Sequence, residues 1–232
     1  MSLLAVSRDQ AFGRPALSGL QWSPPALVVE PRGRKILSVP LDELRPTQMA
    51  VGMRAVAAKQ EKVERRARSN RKLRRFLEAR PIPAVRGPDD DLFIIDHHHL
   101  SLALLKSDVE EAFVRVVGDL SHLPRKPFLR QMAAQGLLHA YDGHGHAVCP
   151  TQLPDCLDDL RCDPYRDLAW SVREAGGFAK SGAPFAEFRW ADFFRTRIPR
   201  STVRRDFEYA HDRAMWLARS SDALRMPGYI SR

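Results

Sequence analysis

The chain has 232 residues, 44% hydrophobic and 28% charged, a balance that builds a globular core and argues against a disordered or fibrous protein. Its formal charge of +9 points to an acidic partner, and no apolar run approaches the length that spans a bilayer. Cys149, Cys156 and Cys162 are an odd count without a Cys-x-x-Cys pair, which argues against a disulfide framework and the tightest zinc motifs. The opening Met1–Arg8 stretch is too short and polar for a secretory leader, so a soluble, cytoplasmic protein with reduced thiols is expected.

Residues 1–33 hold Pro15, Pro24, Pro25 and Pro31 without periodicity and read as a loosely ordered arm, with Trp22 or Leu27–Val29 docking on the body. Lys35–Val39 reads as a short strand and Pro40–Leu44 as a turn of helix. Pro46 looks like a helix start with Thr47 as its cap, and Met49, Met53, Val56 and Val63 recur at helical spacing to about Arg68. A second helix begins at Asn70 and carries Leu73, Phe76 and Leu77. Between Arg54 and Arg80 stand eleven Lys/Arg against three Glu, nearly the whole charge excess. The run is either a solvated face or a contact to a phosphate backbone; with Phe76 its only aromatic, it does not suit base stacking.

Pro81 and Pro83 end that helix, and Ile82–Arg86 with Asp91–Asp96 read as a hairpin around a Gly-Pro-Asp-Asp turn. A short helix follows from about His98 to Lys106, and Ala112–Val117 is the next strand. Beyond Pro124 the chain reads helical: Phe128–Leu138, a turn over Tyr141–His146, then Pro154–Leu160, Pro164–Arg173, Pro184–Arg195 and one amphipathic helix over Thr202–Arg219. The aromatics between Phe185 and Phe194 are expected to form core between the two halves. The fold class is therefore α+β, with an α+β domain over 34–122 and a helical region over 123–232 packed on it.

The chemistry concentrates where the strand Leu92–Ile95 runs into Asp96, His97, His98 and His99. Titratable groups at a strand-to-helix corner sit where the amides and dipole of the helix favour anions. Asp96 ends an apolar strand, so it is expected to be partly buried and partnered by His98, His99 or a metal. Adjacent histidines cannot all ligate one ion, so a metal would need further ligands from elsewhere. Any one of the three is as readily a solvent-facing residue without a role. The turn Asp142-Gly-His144-Gly-His146 reads first as a polar loop, and alternatively as a segment that closes over this corner or supplies a metal ligand with Asp96.

At these residues the chain resembles the ParB/sulfiredoxin superfamily. Asp96-His97-His98-His99-Leu100 is similar to its Asp-Gly-His-His-Arg corner, and Ile36–Val39 followed by Pro40-Leu-Asp-Glu-Leu-Arg-Pro resembles its lead-in. Thr47-Gln48, Val51-Gly52-Met53, Lys59, Arg166-Asp167-Leu-Ala-Trp170, Gly176-Gly177-Phe178-Ala-Lys180 and Glu187-Phe-Arg-Trp190 resemble the ParB-like nuclease subfamily in particular. The resemblance covers about residues 34–230 and implies a ParB/sulfiredoxin-like α+β domain with an integral helical C-terminal half. It implies a corner that contacts nucleotide phosphates, as for CTP, ATP or ADP elsewhere in the superfamily. Leu100 replaces the arginine of the corner, no cysteine lies there for sulfiredoxin chemistry, and Gln48 stands near where serine kinases carry a glutamate.

Asp96, His98 and His99 are thus the expected catalytic groups. Thr47, Gln48, Arg54, Lys59, His97 and Lys180 are the expected phosphate or nucleotide ligands. ATP, ADP or CTP with magnesium are the expected cofactors, Asp96 being the one candidate metal ligand. The leading expectation is a ParB-like protein that binds a nucleotide or phosphorylated molecule at this corner, with phosphate transfer or hydrolysis as its chemistry. The alternatives are a DNA-binding protein or metal-dependent nuclease that uses the basic helices over 54–80, and a binding module without turnover. No membrane partner is expected.

Overall fold

The computed structural model describes residues 36–231, so the arm expected over 1–33 lies outside the described residues. Short apolar runs bounded by turn residues give β1 (Ile36–Pro40), β2 (Leu44–Pro46), β3 (Ala50–Val51), β4 (Ile82–Arg86), β5 (Leu92–Ile94), β6 (Glu111–Asp119) and β7 (Arg161–Cys162). Five of them form one sheet in the order β1-β6-β4-β5-β2. The β4–β5 hairpin is antiparallel, with Ala84 opposite Ile94, while β5 runs parallel to β2 and β4 parallel to β6. Helices α1 (Met53–Ala67), α2 (Asn70–Glu78) and α3 (His98–Leu105) cover one face, where Ile82, Ala84, Leu92 and Ile94 meet Val56, Val63, Leu77 and Leu102. Phe93 points the opposite way, as period-2 alternation requires, and packs with Phe128 and Met132 of α4 (Arg125–Ala134). With both faces covered, every residue of β5 is buried.

Helices α5 (Pro164–Glu174), α6 (Ala186–Arg195), α7 (Arg200–Arg205) and α8 (Phe207–Ala218) gather a third apolar cluster around Leu168, Val172, Trp190, Phe194 and Leu217. The α+β architecture with an integral helical C-terminal half is as the sequence predicts. Among the described residues no helix is long and apolar enough to cross a membrane.

Several boundaries differ from the sequence reading, each for a local reason. Thr47 caps no helix: the chain makes β3 first, and α1 starts at Met53. α4 stops at Ala134 because Gly136, at φ 65°, closes a turn in which its own N–H and that of Leu137 bond to Ala133 and Met132. Only Leu157–Asp159 of the expected 154–160 helix is helical, as a single 3₁₀ turn. The expected 202–219 helix is two, because Asp206 leaves helical geometry and its carboxylate accepts the Tyr209 N–H, capping α8.

Two contacts stitch the C-terminal helices to the sheet domain. β3 pairs with β7 in parallel, and Asp167 on α5 caps α1 from outside its own segment. α1 opens on Gly52, which has no side chain to cap with, and Asp167 Oδ1 accepts the N–H groups of Arg54 at 2.7 Å and Ala55 at 3.2 Å. A Cβ at Gly52 would stand 2.5 Å from that oxygen, so glycine is required for the approach. Asp167→Ala is expected to lower unfolding stability by about 1–2 kcal/mol, the worth of a helix cap, in urea titrations. Gly52→Ala should destabilise as well, and somewhat less so in the Asp167→Ala background, where the carboxylate contact is gone while the Asp167 backbone nitrogen remains 2.9 Å from the added Cβ.

Candidate anion-binding cleft

β5 ends at Ile94 and the chain turns through Asp96 and His97 into α3. His97 is in the left-handed region at φ 65°, a backbone state that side chains adopt only at a cost. The superfamily motif has glycine at this place, which is the residue such geometry favours. α3 has no side-chain cap, so the positive end of its dipole is left open at the corner.

His98 and His99 are turned inward and used as acceptors. The Thr47 N–H donates to His98 Nε2 and the Gly52 N–H to His99 Nε2, both at 3.1 Å. An accepting Nε2 carries no proton, so both rings are neutral with the proton on Nδ1. Burial, reinforced by the charge of Arg166, pushes His98 down to about 3 and His99 well below the usual histidine range. The Thr47 hydroxyl donates to the Ile94 carbonyl at 2.7 Å, completing a clamp between the β2–α1 segment and the corner.

Asp96 is not partly buried as expected. Its side chain is 75% exposed, Oδ1 accepts the His97 N–H at 2.6 Å, and Oδ2 lies 4.0 Å from His97 Nε2. The strand ends two residues earlier and the corner swings outward, so Asp96 orients neither His98 nor His99. Among the described residues no three His, Cys, Asp or Glu side chains come together as a metal site, so the residues present do not form the expected magnesium site on their own.

The corner opens onto a cleft of about 590 Å³ lined by Thr47, Gln48, all three histidines and Asp96, with Lys59, Arg80, Arg166, Arg173 and Lys180 as its cations. Glu187 is the other carboxylate in the lining, and it is already bonded to Arg173 and 3.8 Å from Arg166 Nη2. Burial, then the neighbouring charge of Lys62, lowers the Lys59 pKa. Arg54 does not line the cleft: its guanidinium lies 3.9 Å from the Phe207 ring centroid, because its place on α1 faces α8. The Asp142–His146 turn is also outside the lining, its carboxylate accepting the N–H groups of His144 and His146.

Arg166 is the residue sequence reasoning passed over. It is 4% exposed, its guanidinium lies 3.5 Å from the Phe188 ring centroid, and its Nε and Nη1 have no hydrogen-bond partner. Burial lowers its pKa to about 10, which still leaves it charged at neutral pH. Buried charged donors without acceptors are costly, and an oxyanion in the cleft would satisfy them. The signal was present in the sequence as a charged pair, Arg166-Asp167, directly before the apolar Leu168-Ala169-Trp170.

Gly176-Gly177 closes α5: the Gly176 and Gly177 N–H groups bond to the Arg173 and Val172 carbonyls. Lys180 beyond it does line the cleft. Its segment is held from behind by the chain's C-terminal stretch, where the Ala179 N–H donates to the Gly228 carbonyl at 2.7 Å and Trp190 Nε1 to the Pro227 carbonyl at 2.8 Å. The expected aromatic core divides in two. Trp190, Phe193 and Phe194 are buried among the C-terminal helices, whereas Phe185 and Phe188 line the cleft beside His139.

Fold and corner together define a ParB-like protein. Residues 37–196 match the family described as "Putative ParB-like nuclease", and the chain belongs to that family. It is also similar to the crystal structure of protein Atu1540 from Agrobacterium tumefaciens, with 39% identity and a TM-score of 0.78 over 85% of this chain and 98% of that one. Among curated proteins none matches the chain.

The neutral histidines predict acid sensitivity. His98 and His139 have folded pKa values of about 3, and that of His99 is also strongly lowered, against about 6.5 unfolded. Stability is therefore full above pH 6.5 and falls as the unfolded chain takes up protons, by about 1.4 kcal/mol per pH unit per histidine. Asp167, pushed up to about 6 by burial, acts in the opposite sense between pH 6 and about 3.9, offsetting one of the three. The urea midpoint should drop steeply between pH 6.5 and 5, and His98→Gln should flatten that slope; a flat wild-type profile would contradict the neutral clamp. Separately, a Cβ at Gly228 would lie 2.1 Å from the Ala179 carbonyl oxygen. Gly228→Ala should accordingly speed hydrogen exchange at Ala179–Ser181 and expose the Trp190 indole to a fluorescence quencher.

Proposed function

We propose that the protein binds a nucleotide or another phosphorylated molecule in this cleft. The observation that carries the reading is the buried guanidinium of Arg166, with two N–H donors unpaired beside a cation-rich opening. A phosphate can accept one of these donors together with the adjacent Nη2 in the fork geometry of arginine, while Lys59, Lys180 and Arg80 neutralise its remaining charge. The uncapped N-terminus of α3 adds to the same potential.

The geometry supports binding more strongly than turnover. A general base needs a free lone pair and a pKa near the working pH, and the Nε2 atoms of His98 and His99 are already engaged in rings held neutral by burial. In this reading both are positioning residues, and among the described residues lining the cleft Asp96 at its edge is the one carboxylate free for acid–base work. The nuclease reading rests on the family's description and on the basic helices. Metal-dependent hydrolysis by it would require ligands beyond Asp96.

The test is a thermal-shift panel of ATP, ADP, CTP, adenosine and inorganic phosphate, with and without magnesium or manganese. A phosphorylated ligand at about 100 times its Kd should stabilise by about 2.7 kcal/mol, and adenosine should not. Arg166→Met should abolish the response; the exposed Lys180→Gln, which leaves the fold intact, should weaken it. No response from wild type to any phosphorylated compound overturns the proposal. Phosphate release then decides turnover: an acid–base role for Asp96 predicts a loss on the order of 100-fold in Asp96→Asn. Binding with no release by either protein leaves a non-catalytic module.

A further inference from the structure

Two of the cations in the cleft, Lys59 on α1 and Arg80 just past the end of α2, adjoin helix faces that carry more. From Lys59 on α1, Lys62 and Arg66 follow at three and seven residues, along one side of the helix. The Arg66 guanidinium lies 4.4 Å from the centroid of Phe76 on α2, and that of Arg80, which lines the cleft, lies 4.5 Å from the same centroid. Phe76 thereby joins the two helices, and Lys59, Lys62, Arg66 and Arg80 form a track that leaves the cleft along α1 and returns to it. Among the described residues none of these four makes an ion pair, whereas their neighbours Arg65 and Arg74 are paired with Glu61 and Glu78. The acidic residues of α1 and α2 thus neutralise other sides of the helices and leave this side bare.

We propose that the track carries a phosphodiester backbone, so that the cleft takes one phosphate of a single nucleic-acid strand or strand end rather than a free nucleotide. The inference rests on the phosphate reading of the cleft. Lys59 to Arg66 spans about 10 Å of helix, long enough for two or three successive phosphates. A phosphate that reaches the buried Arg166 must leave the surface of a duplex, which selects a single strand or an end. The single aromatic of the track has two arginines stacked on it, Arg66 from α1 and Arg80 from just past the end of α2, so the contact reads backbone and not bases. An anionic membrane fits less well. Among the described residues the exposed large apolar ones are Ile36, Tyr209, Trp216, Leu224 and Ile230, and none lies on α1 or α2 to insert beside the charges.

The experiment measures binding of a fluorescent single-stranded hexanucleotide with a terminal phosphate, and of a mononucleotide, across a range of salt. It compares wild type with Lys62→Gln, Arg66→Gln and Arg166→Met. Each track variant should weaken hexanucleotide binding by about fivefold and shallow the log–log salt slope by about 0.7, while leaving mononucleotide affinity unchanged. Arg166→Met should weaken both ligands, and Lys180→Gln does the same test should Arg166→Met fail to fold. Track variants with unaltered hexanucleotide affinity and slope overturn the track and leave the cleft reading standing. Track variants that weaken the hexanucleotide while Arg166→Met and Lys180→Gln change neither ligand overturn the entry of the strand into the cleft. Wild-type capture of phosphatidylserine vesicles without hexanucleotide binding overturns the proposal in favour of a membrane.

Discussion

Arg166 places a guanidinium away from water at the junction of the sheet domain and the C-terminal helices, and its neighbours are set by that charge. It is among the leading causes that keep His98, His99 and His139 unprotonated, after burial itself. Because those rings are neutral, His98 and His99 present lone pairs inward, and the lone pairs are what hold Thr47 and Gly52. Gly52 opens α1, so the position of the helix that brings Lys59 to the cleft depends on a proton being absent two contacts away. The carboxylates that balance Arg166, Asp163 and Asp167, have tasks of their own: Asp163 caps α5 and pairs with Arg195, and Asp167 caps α1.

This arrangement explains why the cleft lies where it does. The sheet domain supplies the corner histidines with Lys59 of α1 and Arg80 past α2, and the C-terminal half supplies Arg166 and Arg173 from α5 and Lys180 from the segment after it. Neither set lines the cleft alone. The β3–β7 pairing and the Asp167 cap hold the two sets in register, and the C-terminal stretch around Gly228 holds the Lys180 segment from behind. The arginine that the superfamily corner carries is Leu100 here, buried in the core, and a charge of the same kind arrives from α5 instead.

Much of the fold was legible in the sequence because it follows from short-range rules. The alternation of Leu92, Phe93 and Ile94, the Gly-Pro-Asp-Asp turn and the prolines at 81 and 83 determine the hairpin, and apolar spacing determines α1, α2, α5 and α6. Family membership was also carried by the residues themselves, through the Asp-x-His-His corner and the motifs around Arg166 and Glu187. Where local rules competed, the reading failed. Gly136 stopped α4, and Asp206 split the last helix, because one cap outweighs a few residues of propensity.

The sequence by itself determined the α+β class, the family and the segment that turns into the site. Only the tertiary structure decided which polar groups are buried and against what. It sent Asp96 to water and His98 to the interior, though they stand two residues apart, because a corner that leaves a strand in the left-handed region reverses the facing of the side chains that follow. It turned Arg54 to Phe207 and brought Arg166 to the cleft from seventy residues beyond the corner. Burial and pairing are properties of contacts between distant segments, and hydrophobic pattern and turn chemistry report only on near ones.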